Sequence, residues 1–431
     1  MERLKAENQK DIYKSSRLFY IIEAALEYFI AIAVGSVYLA KITSEIGIPD
    51  NITGILTSFV SLGCGFQIIA IFIAHKRPVK KWVTVVHVIS QLLFSAMYFV
   101  PLLPISRGWQ ISFLIIALLS AHILHNAINS PKINWCMSLV EESKRGRFTA
   151  NKEIVSLLSG MLFSFGLGYV MDYFTDTGKL RYGFIICGVL LLFLTSMHTL
   201  TLVLTKEKPS EAGKRPTLKE IFHLFKDKTL IKVVGVFVLW NIASYITTAY
   251  TGAYQLNDLG FSTKYSSVII IIGSVSRAIF SRPLGKFADR FSFCKMLYIC
   301  FSIEAVSFLC CAFVTPSNGR YMYIIYYVLY CIGCAGINSA IINLIYDYVP
   351  IEKRTSALAI VNTVSGFTGF FATLAVSPLV DSIQKNGNSL FGVEIYAQQL
   401  LAFMSALVVV GIIIYLLLVV SKLKKNVDNN L

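Results

Sequence analysis

The stretch Val140–Asp172, VEESKRGRFTANKEIVSLLSGMLFSFGLGYVMD, has a counterpart in Val349–Asp381, VPIEKRTSALAIVNTVSGFTGFFATLAVSPLVD. Both stretches have a Lys-Arg pair near their start, a glycine within an apolar run and an aspartate at their end. The same shift, close to half of the 431-residue chain, also superimposes Asn129 on Asn338. A repeat of this length predicts two parallel copies of one structural unit, each holding about six helices.

Apolar residues dominate the composition, since 55% of the chain is hydrophobic and only 15% is charged. A soluble protein of this length would need more charged surface. Apolar runs of about 20 residues recur throughout, and each is long enough to cross a bilayer as a helix. These runs are continuous rather than alternating, which disfavours a β-barrel. We therefore predict an all-α polytopic membrane protein.

Hydropathy predicts twelve membrane spans in two pseudo-symmetric six-helix bundles. The spans cover residues 19–40, 53–74, 82–102, 109–138, 151–171, 182–204, 233–255, 265–284, 296–315, 321–346, 356–380 and 397–421. The predicted domains are residues 1–204 and 233–431, joined by a cytoplasmic linker at 205–232. In the linker, Thr217 and Glu220 have capping-box spacing, which predicts a short amphipathic helix; a disordered connector is the alternative.

Lysine and arginine crowd alternate connections between the spans, including residues 76–81, 144–147 and 282–295. The positive-inside rule places these connections, the linker and both termini in the cytoplasm. The net charge of +15 is then a topology signal and a contact for anionic lipid, so we expect the lipid bilayer and no nucleic acid as a partner. The expected location is the inner or plasma membrane of the cell, and the expected state is a monomer.

The loop between spans eight and nine, GKFADRFSFCK, is similar to the G-x-x-x-D-R-x-G-R/K-R/K signature of the major facilitator superfamily. Gly285, Asp289 and Arg290 match this signature, whereas Ser292 replaces its second glycine. With its two six-span halves, the chain resembles this family of secondary transporters over nearly its whole length. The resemblance implies a cytoplasmic gating loop and a midplane substrate site lined by spans one, four, seven and ten. We expect Gly285 to allow a tight turn there.

The residue content of the spans agrees with that lining, because polar side chains recur in every third span. Spans six and twelve, by contrast, are almost entirely apolar, as is typical of lipid-facing helices. The predicted substrate-cavity residues are Asn126, Asn129, Asn241, Tyr245, Thr248, Tyr330 and Asn338. The alternative is that these groups bond to the helix backbone or join neighbouring helices.

Two carboxyl groups lie in the first span, FYIIEAALEYFIAIAVG. Glu23 and Glu27 are one helical turn apart, and Glu27 falls about 15 Å into the bilayer, near its midplane. An ionisable group at that depth is costly and is rarely kept without a function. We therefore predict that Glu27 faces the cavity and binds protons. The other proton-coupling candidates are Glu23, His122 and His125.

Basic residues inside the spans bear on this prediction. We expect Lys132 to lie closer to the cytoplasm than Glu27 and not to pair with it. Arg277 and Glu304 have similar depth in spans eight and nine, so we predict a structural ion pair between them, because an unpaired charge there would be expensive. Two alternatives remain open for Glu27, which are a hydrogen-bonded packing role and a counter-ion for a cationic substrate.

These patterns predict a secondary active transporter that moves a small polar or amphiphilic organic solute by alternating access, coupled to protons. No GxxxxGK(S/T) loop is present, which disfavours an ATPase. The alternatives are a transporter-like receptor and, less favoured, a membrane-embedded enzyme. Since the sequence has no HExxH pattern and no tight His/Asp/Glu cluster, we predict no catalytic residue, metal or cofactor.

Overall fold

The computed structural model describes residues 12–69, 78–141, 144–208, 226–349 and 354–423, and these residues are almost entirely helical. The first half contains α1 (Lys14–Ala33), α2 (Ser36–Ile46), α3 (Asp50–Thr57), α4 (Phe59–Gly65), α5 (Val79–Ala96), α6 (Arg107–Ser138), α7 (Arg145–Asp176) and α8 (Leu180–Leu204). The second half contains α9 (Lys228–Thr248), α10 (Thr263–Arg290), α11 (Phe293–Ala312), α12 (Gly319–Tyr348), α13 (Arg354–Lys385) and α14 (Ala397–Leu418). Shorter elements are the turns Val100–Leu102, Thr251–Ala253 and Val420–Lys422, the π-helical turn Tyr254–Asp258, and the antiparallel hairpin of β1 (Ser389–Leu390) and β2 (Val393–Glu394).

In the part of the chain that the structure describes, each of the twelve predicted spans overlaps one helix or consecutive helical pieces, and residues 70–74 of span two lie outside that part. Within the described residues, nine helices are long and apolar enough to cross a membrane, and the bent pair Lys14–Ala33 and Val37–Ile46 would make a tenth. Predicted spans two and three fall on shorter helices, namely α3 with α4, and α5. The prediction of an all-α polytopic membrane protein is confirmed.

Span one is broken rather than straight, because its two helical pieces meet at 42°. A break in a helix frees backbone carbonyls, which need other donors in apolar surroundings. The Tyr98 hydroxyl, just beyond α5, donates to the Ala33 carbonyl oxygen at 2.6 Å. The N–H of Gly35 donates to the carbonyl of Ile32 at 3.0 Å. These bonds satisfy carbonyl groups that the end of α1 leaves free.

Contacts divide the chain into two units, Met1–Gly35 with Ile69–Arg215 and Ser36–Ile68 with Pro216–Leu431. The sequence places residues 36–68 in the first half of the chain. In the structure, these residues pack with the second unit. Hydropathy identifies helices but not the helices that they contact, so it could not show this exchange. The domain borders themselves stay predictions.

The linker is described only at its ends. The amphipathic helix predicted around Thr217 and Glu220 lies outside the described residues. Asp227 begins the second half, where its carboxylate accepts hydrogen bonds from the backbone N–H groups of Thr229 at 2.9 Å and Leu230 at 3.2 Å. These bonds satisfy free donors at the start of α9, so Asp227 is the N-cap of that helix.

The predicted gating loop is shorter than its sequence signature. Gly285 lies inside α10, so the expectation of a tight turn at this residue is wrong. Asp289 is exposed in the last turn of the helix, which ends at Arg290. Ser292 then caps α11, because its hydroxyl accepts a hydrogen bond from the N–H of Lys295 at 3.1 Å. The gating role of this loop stays a prediction.

Glycine permits a close approach between α4 and α13. The Ser61 hydroxyl donates to the Gly366 carbonyl oxygen at 2.8 Å. A Cβ atom on Gly366 would lie 2.5 Å from the backbone nitrogen of Gly65 and 2.6 Å from the carbonyl oxygen of Ser61. Because both neighbours are backbone atoms, neither helix can make room without moving as a whole.

We expect Gly366→Ala to lower the free energy of unfolding by about 1–3 kcal/mol, the usual cost of an overpacked contact. Thermal unfolding of the purified protein in detergent measures the change. Gly411→Ala is the matched control, because it also lies in a helix, α14, and a Cβ atom added there would have no neighbour within 4 Å. Equal unfolding temperatures for the two variants would show that the close approach is not restrictive.

Candidate functional site

A lysine lies at the centre of the polar side chains in the first unit. Lys132, on α6, donates to Glu23 Oε1 at 2.8 Å and to Glu27 Oε1 at 2.5 Å, both on α1. Its side chain is only 2% exposed. The expectation that Lys132 lies clear of Glu27 is therefore wrong. Helical side chains tilt towards the N-terminus of their helix, and the long lysine stem extends that reach back to the level of Glu27.

Two histidines extend this network across the bundle. His198 Nε2, on α8, lies 3.0 Å from Glu23 Oε1. His198 Nδ1 lies 3.2 Å from His87 Nε2 on α5, and both imidazoles are fully buried. A neutral imidazole donates through one nitrogen and accepts through the other. Glu23, His198 and His87 therefore form a continuous hydrogen-bonded path.

The accessible end of the network is at Glu27 and His125. Each of these side chains is 24% exposed, whereas the Glu23 side chain is 1% exposed. His125 Nε2 lies 3.5 Å from Glu27 Oε1. Glu27 and His125 are therefore partly open to the surroundings of the bundle, whereas Glu23 is enclosed.

Glu27, His87 and His125 also offer ligand atoms within 4.8 Å of one another, a composition that can hold a divalent cation. Lys132 competes for the same carboxylate, because its ammonium lies 2.5 Å from Glu27 Oε1. An ammonium at that distance repels a metal ion. The geometry therefore favours proton binding over metal binding at this cluster.

The ionised network is not neutral. Two carboxylates share one ammonium, and neutral imidazoles add no charge, so one negative charge is left over. A buried charge without a partner costs several kcal/mol. One further proton, held on an imidazole or on a carboxyl group, balances the network. The arrangement can therefore hold one exchangeable proton.

The other polar candidates of the first unit lie on α6. His122 is buried, and its ring centre is 4.8 Å from that of Phe94 in an edge-to-face contact. Asn126 donates to the carbonyl oxygen of His122 at 2.9 Å, and Asn129 is half-buried. His125 contacts the same ring at 6.3 Å, but it also lies 3.5 Å from Glu27, whereas His122 has a packing role in this structure.

The second unit contains a cavity of about 190 Å³. Its lining residues are Val37, Thr248, Thr251, Gln255, Ile269, Ile270, Tyr326, Tyr327 and Tyr330. None of these lining residues has a charged side chain. Two of the predicted cavity residues, Thr248 and Tyr330, are in the lining.

Three other predicted cavity residues of the second half lie elsewhere. Asn241 donates to the carbonyl oxygen of Phe237 at 2.9 Å, within its own helix. Tyr245 packs against Gly369, where a Cβ atom would lie 2.8 Å from its ring. Asn338 is exposed. The polar helices were identified from the sequence, but the face that each helix turns to the cavity was not.

Tyrosines form one wall of the cavity. The ring centres of Tyr327 and Tyr330 are 6.3 Å apart, with an angle of 28° between the rings. Tyr326 lies 6.1 Å from Tyr330 by the same measure. The Tyr330 hydroxyl is 3.1 Å from the hydroxyl of Ser244, which orients the ring. The wall therefore presents flat aromatic faces beside the hydroxyl of Thr248.

The predicted ion pair between Arg277 and Glu304 is wrong. Arg277 is exposed on α10, whereas Glu304 is fully buried on α11. Neither carboxylate oxygen of Glu304 has a hydrogen-bond partner within the described part of the chain. Similar depth in neighbouring helices does not fix the rotation of either helix about its axis, so depth alone did not predict a contact.

Three members of the network were missed in the sequence. Lys132 lies seven residues after His125 and three residues after Asn129, so all three share one face of the helix. This spacing could have indicated that Lys132 belongs to the network. His87 and His198 lie inside spans three and six, which the repeat pattern assigns to supporting positions. An ionisable residue inside any span is itself a signal of function, whichever span holds it.

The profile of the Major Facilitator Superfamily matches residues 20–373 and 267–430 of the chain. No curated protein matches the sequence of this chain. Among solved structures, a mutant of the nucleoside transporter NupG is similar with 14% identity and a TM-score of 0.74, covering 93% of this chain and 99% of its own. A D-xylose-proton symporter has 15% identity and a TM-score of 0.67, covering 92% and 96%. An auto inhibited POT family peptide transporter has 11% identity and a TM-score of 0.72, covering 96% and 99%.

Sequence identities this low show that the fold is shared and nothing more. The shared fold agrees with the predicted class of twelve helices in two six-helix bundles, and the family profile supports this class along the chain.

Removing the ammonium from the network should destabilise the protein. Lys132→Met leaves the buried Glu23 and the partly exposed Glu27 without a cation, and loss of one partner of a buried pair costs about 3–5 kcal/mol. We expect a lower unfolding temperature in detergent, partly restored in Lys132→Met/Glu23→Gln because one buried charge is then gone. Lys179→Met, which replaces an exposed lysine, is the control. If Lys132→Met and Lys179→Met unfold alike, Lys132 does not balance the carboxylates.

Proposed function

Since the chain belongs to the major facilitator superfamily, we propose that it is a proton-coupled transporter of an uncharged polar solute. That it is a secondary transporter and not an enzyme follows from the family and from its transporter neighbours. Proton coupling and the class of solute are the proposed parts. We further propose that the chain works as a monomer in an inner or plasma membrane, with both termini in the cytoplasm, as its lysine and arginine placement favours.

One observation carries the proton coupling, which is that Glu23 and Glu27 share the single ammonium of Lys132. The leftover negative charge is neutralised when one proton binds. Glu27 and His125 are the exposed groups, so they receive the proton. Glu23 and His198 can then share it through their hydrogen bond.

The charge of the network couples proton binding to alternating access. A neutral, protonated network can be removed from water at low cost, whereas a network with a net negative charge favours a conformation that keeps Glu27 in contact with water. Protonation therefore shifts the balance between the conformations of the transporter. A proton gradient across the membrane then drives the cycle in one direction.

The cavity of the second unit supports the proposed class of solute. Its lining combines a tyrosine wall with the side chains of Thr248, Thr251 and Gln255 and carries no charge. A single-ring polar solute, such as a monosaccharide or the base or sugar portion of a nucleoside, fits this chemistry and size. The structural likeness to a nucleoside transporter and to a D-xylose-proton symporter favours the same class.

The loop after α10 is the proposed cytoplasmic gate. Asp289 is exposed in the last turn of α10, next to Arg290. An exposed carboxylate there is available to a basic residue or to a helix N-terminus when the cytoplasmic side closes. Gly285 lies one turn earlier and leaves space on the helix surface.

Glu27→Gln should abolish accumulation of solute driven by a pH gradient in proteoliposomes, while solute counterflow persists. The amide leaves one carboxylate with one ammonium, so the network is balanced without a proton. Glu153→Gln, at an exposed position of α7, is the control. Gradient-driven accumulation by Glu27→Gln would refute coupling through this residue, and loss of binding of a cationic ligand would make Glu27 a substrate counter-ion instead.

The solute class can be tested with a thermal-shift screen of sugars, nucleosides, organic anions and organic cations. We expect the uncharged ring solutes to raise the unfolding temperature of the wild-type protein. Tyr327→Ala should weaken this binding about tenfold, because one aromatic contact is lost. Tyr321→Ala, which removes an 80% exposed tyrosine of the same helix, should have no effect. Stabilisation by charged solutes alone would contradict the proposed class.

A further inference from the structure

The second unit contains a buried carboxyl group that, unlike those of the first unit, has no lysine beside it among the described residues. Glu304, on α11, is 0% exposed, and neither of its carboxylate oxygens has a hydrogen-bond partner in the described residues. The thiol and the backbone N–H of Cys334 lie beside it, and both are uncharged. Among the described residues, no cation pairs with Glu304 to balance a negative charge.

The carboxyl group occupies a space that a glycine leaves open. A Cβ atom on Gly333 of α12 would overlap Glu304 Oε1, so α12 lies directly against the carboxyl group. Tyr330 lies three residues before Gly333 on the same face of α12 and lines the solute cavity. One helix therefore contacts the buried carboxyl group and the solute cavity together.

The groups around Glu304 offer no compensating charge. The nearest titratable groups are Cys300 on α11 and Tyr326, Tyr330, Cys331 and Cys334 on α12, all of which are uncharged at neutral pH. Helix α14, which also packs against α11, has no charged residue. Arg277 of α10 lies near enough to act on Cys331 and Cys334, but its side chain is exposed and makes no ion pair with Glu304.

A bare carboxylate in such a place would cost several kcal/mol, so the group is neutral and carries its proton in this conformation. We propose that Glu304 is a second proton-binding site, which holds its proton while α12 packs against it and releases the proton when α12 moves away. Because α12 also carries the tyrosine wall, a movement of this helix that opens the cavity exposes Glu304 to water. Proton release at Glu304 is thereby linked to solute exchange.

The use of this site in transport rests on the proposed function, but its protonation does not. Infrared spectroscopy of the purified protein at neutral pH can detect the carbonyl stretching band of a neutral carboxylic acid. We expect this band in the wild-type protein and its loss in Glu304→Gln, which keeps the size of the side chain. Glu394→Gln, at an exposed position in β2, should leave the band unchanged. If the wild-type and Glu304→Gln spectra agree, Glu304 is ionised and the proposal is wrong.

Transport gives the second measurement. In proteoliposomes, Glu304→Gln should retain solute counterflow and lose one proton from the number that accompanies each solute. An unchanged ratio of protons to solute, together with loss of the infrared band, would make Glu304 a fixed structural acid and overturn its role in coupling. If the wild-type protein accumulates no solute in a pH gradient, the proposed function fails, while the infrared comparison still decides the protonation of Glu304.

Discussion

The ion pairs that Lys132 makes with Glu23 and Glu27 are the interaction on which the first unit depends. Water cannot stabilise charges inside an apolar helical bundle, so each carboxylate needs a cation or a proton there. Lys132 joins α6 to both carboxylates of α1, and His198 joins α8 to one of them, Glu23. The requirement for charge balance thus joins three helices and accounts for the proton that we propose the network binds.

The two repeats satisfy this requirement in different ways. The shift that superimposes Arg145 on Arg354 places Val236 and Ile341 at the positions of Glu27 and Lys132, so the ionic network has no copy in the second half. The second unit instead contains an uncharged tyrosine cavity and, at Glu304, a buried carboxyl group that has no ion-pair partner among the described residues. The repeated sequence therefore encodes a common helical scaffold, on which the ionic network and the uncharged cavity lie in different halves.

Close helix packing in the second unit depends on the positions of small residues. Gly366 lets α13 contact α4, and Gly333 lets α12 contact the carboxyl group of Glu304. In a bilayer, helices gain little from the hydrophobic effect against each other, so close van der Waals contact and hydrogen bonds carry much of their association. The same contacts restrict where a helix can move, which matters for a protein that works by changing conformation.

The sequence by itself determined the helical membrane class, the positions of the spans and the polarity of the helices that supply the sites. These properties are local, because the length and hydropathy of a run decide whether it crosses a bilayer. It also identified Glu23, Glu27 and His125 as ionisable groups at depth. Only the tertiary structure decided that Lys132 reaches Glu27, because the contact depends on the rotation of α6 and on the direction of a long side chain. For the same reason, the isolation of Glu304 emerged only when its neighbours were in place.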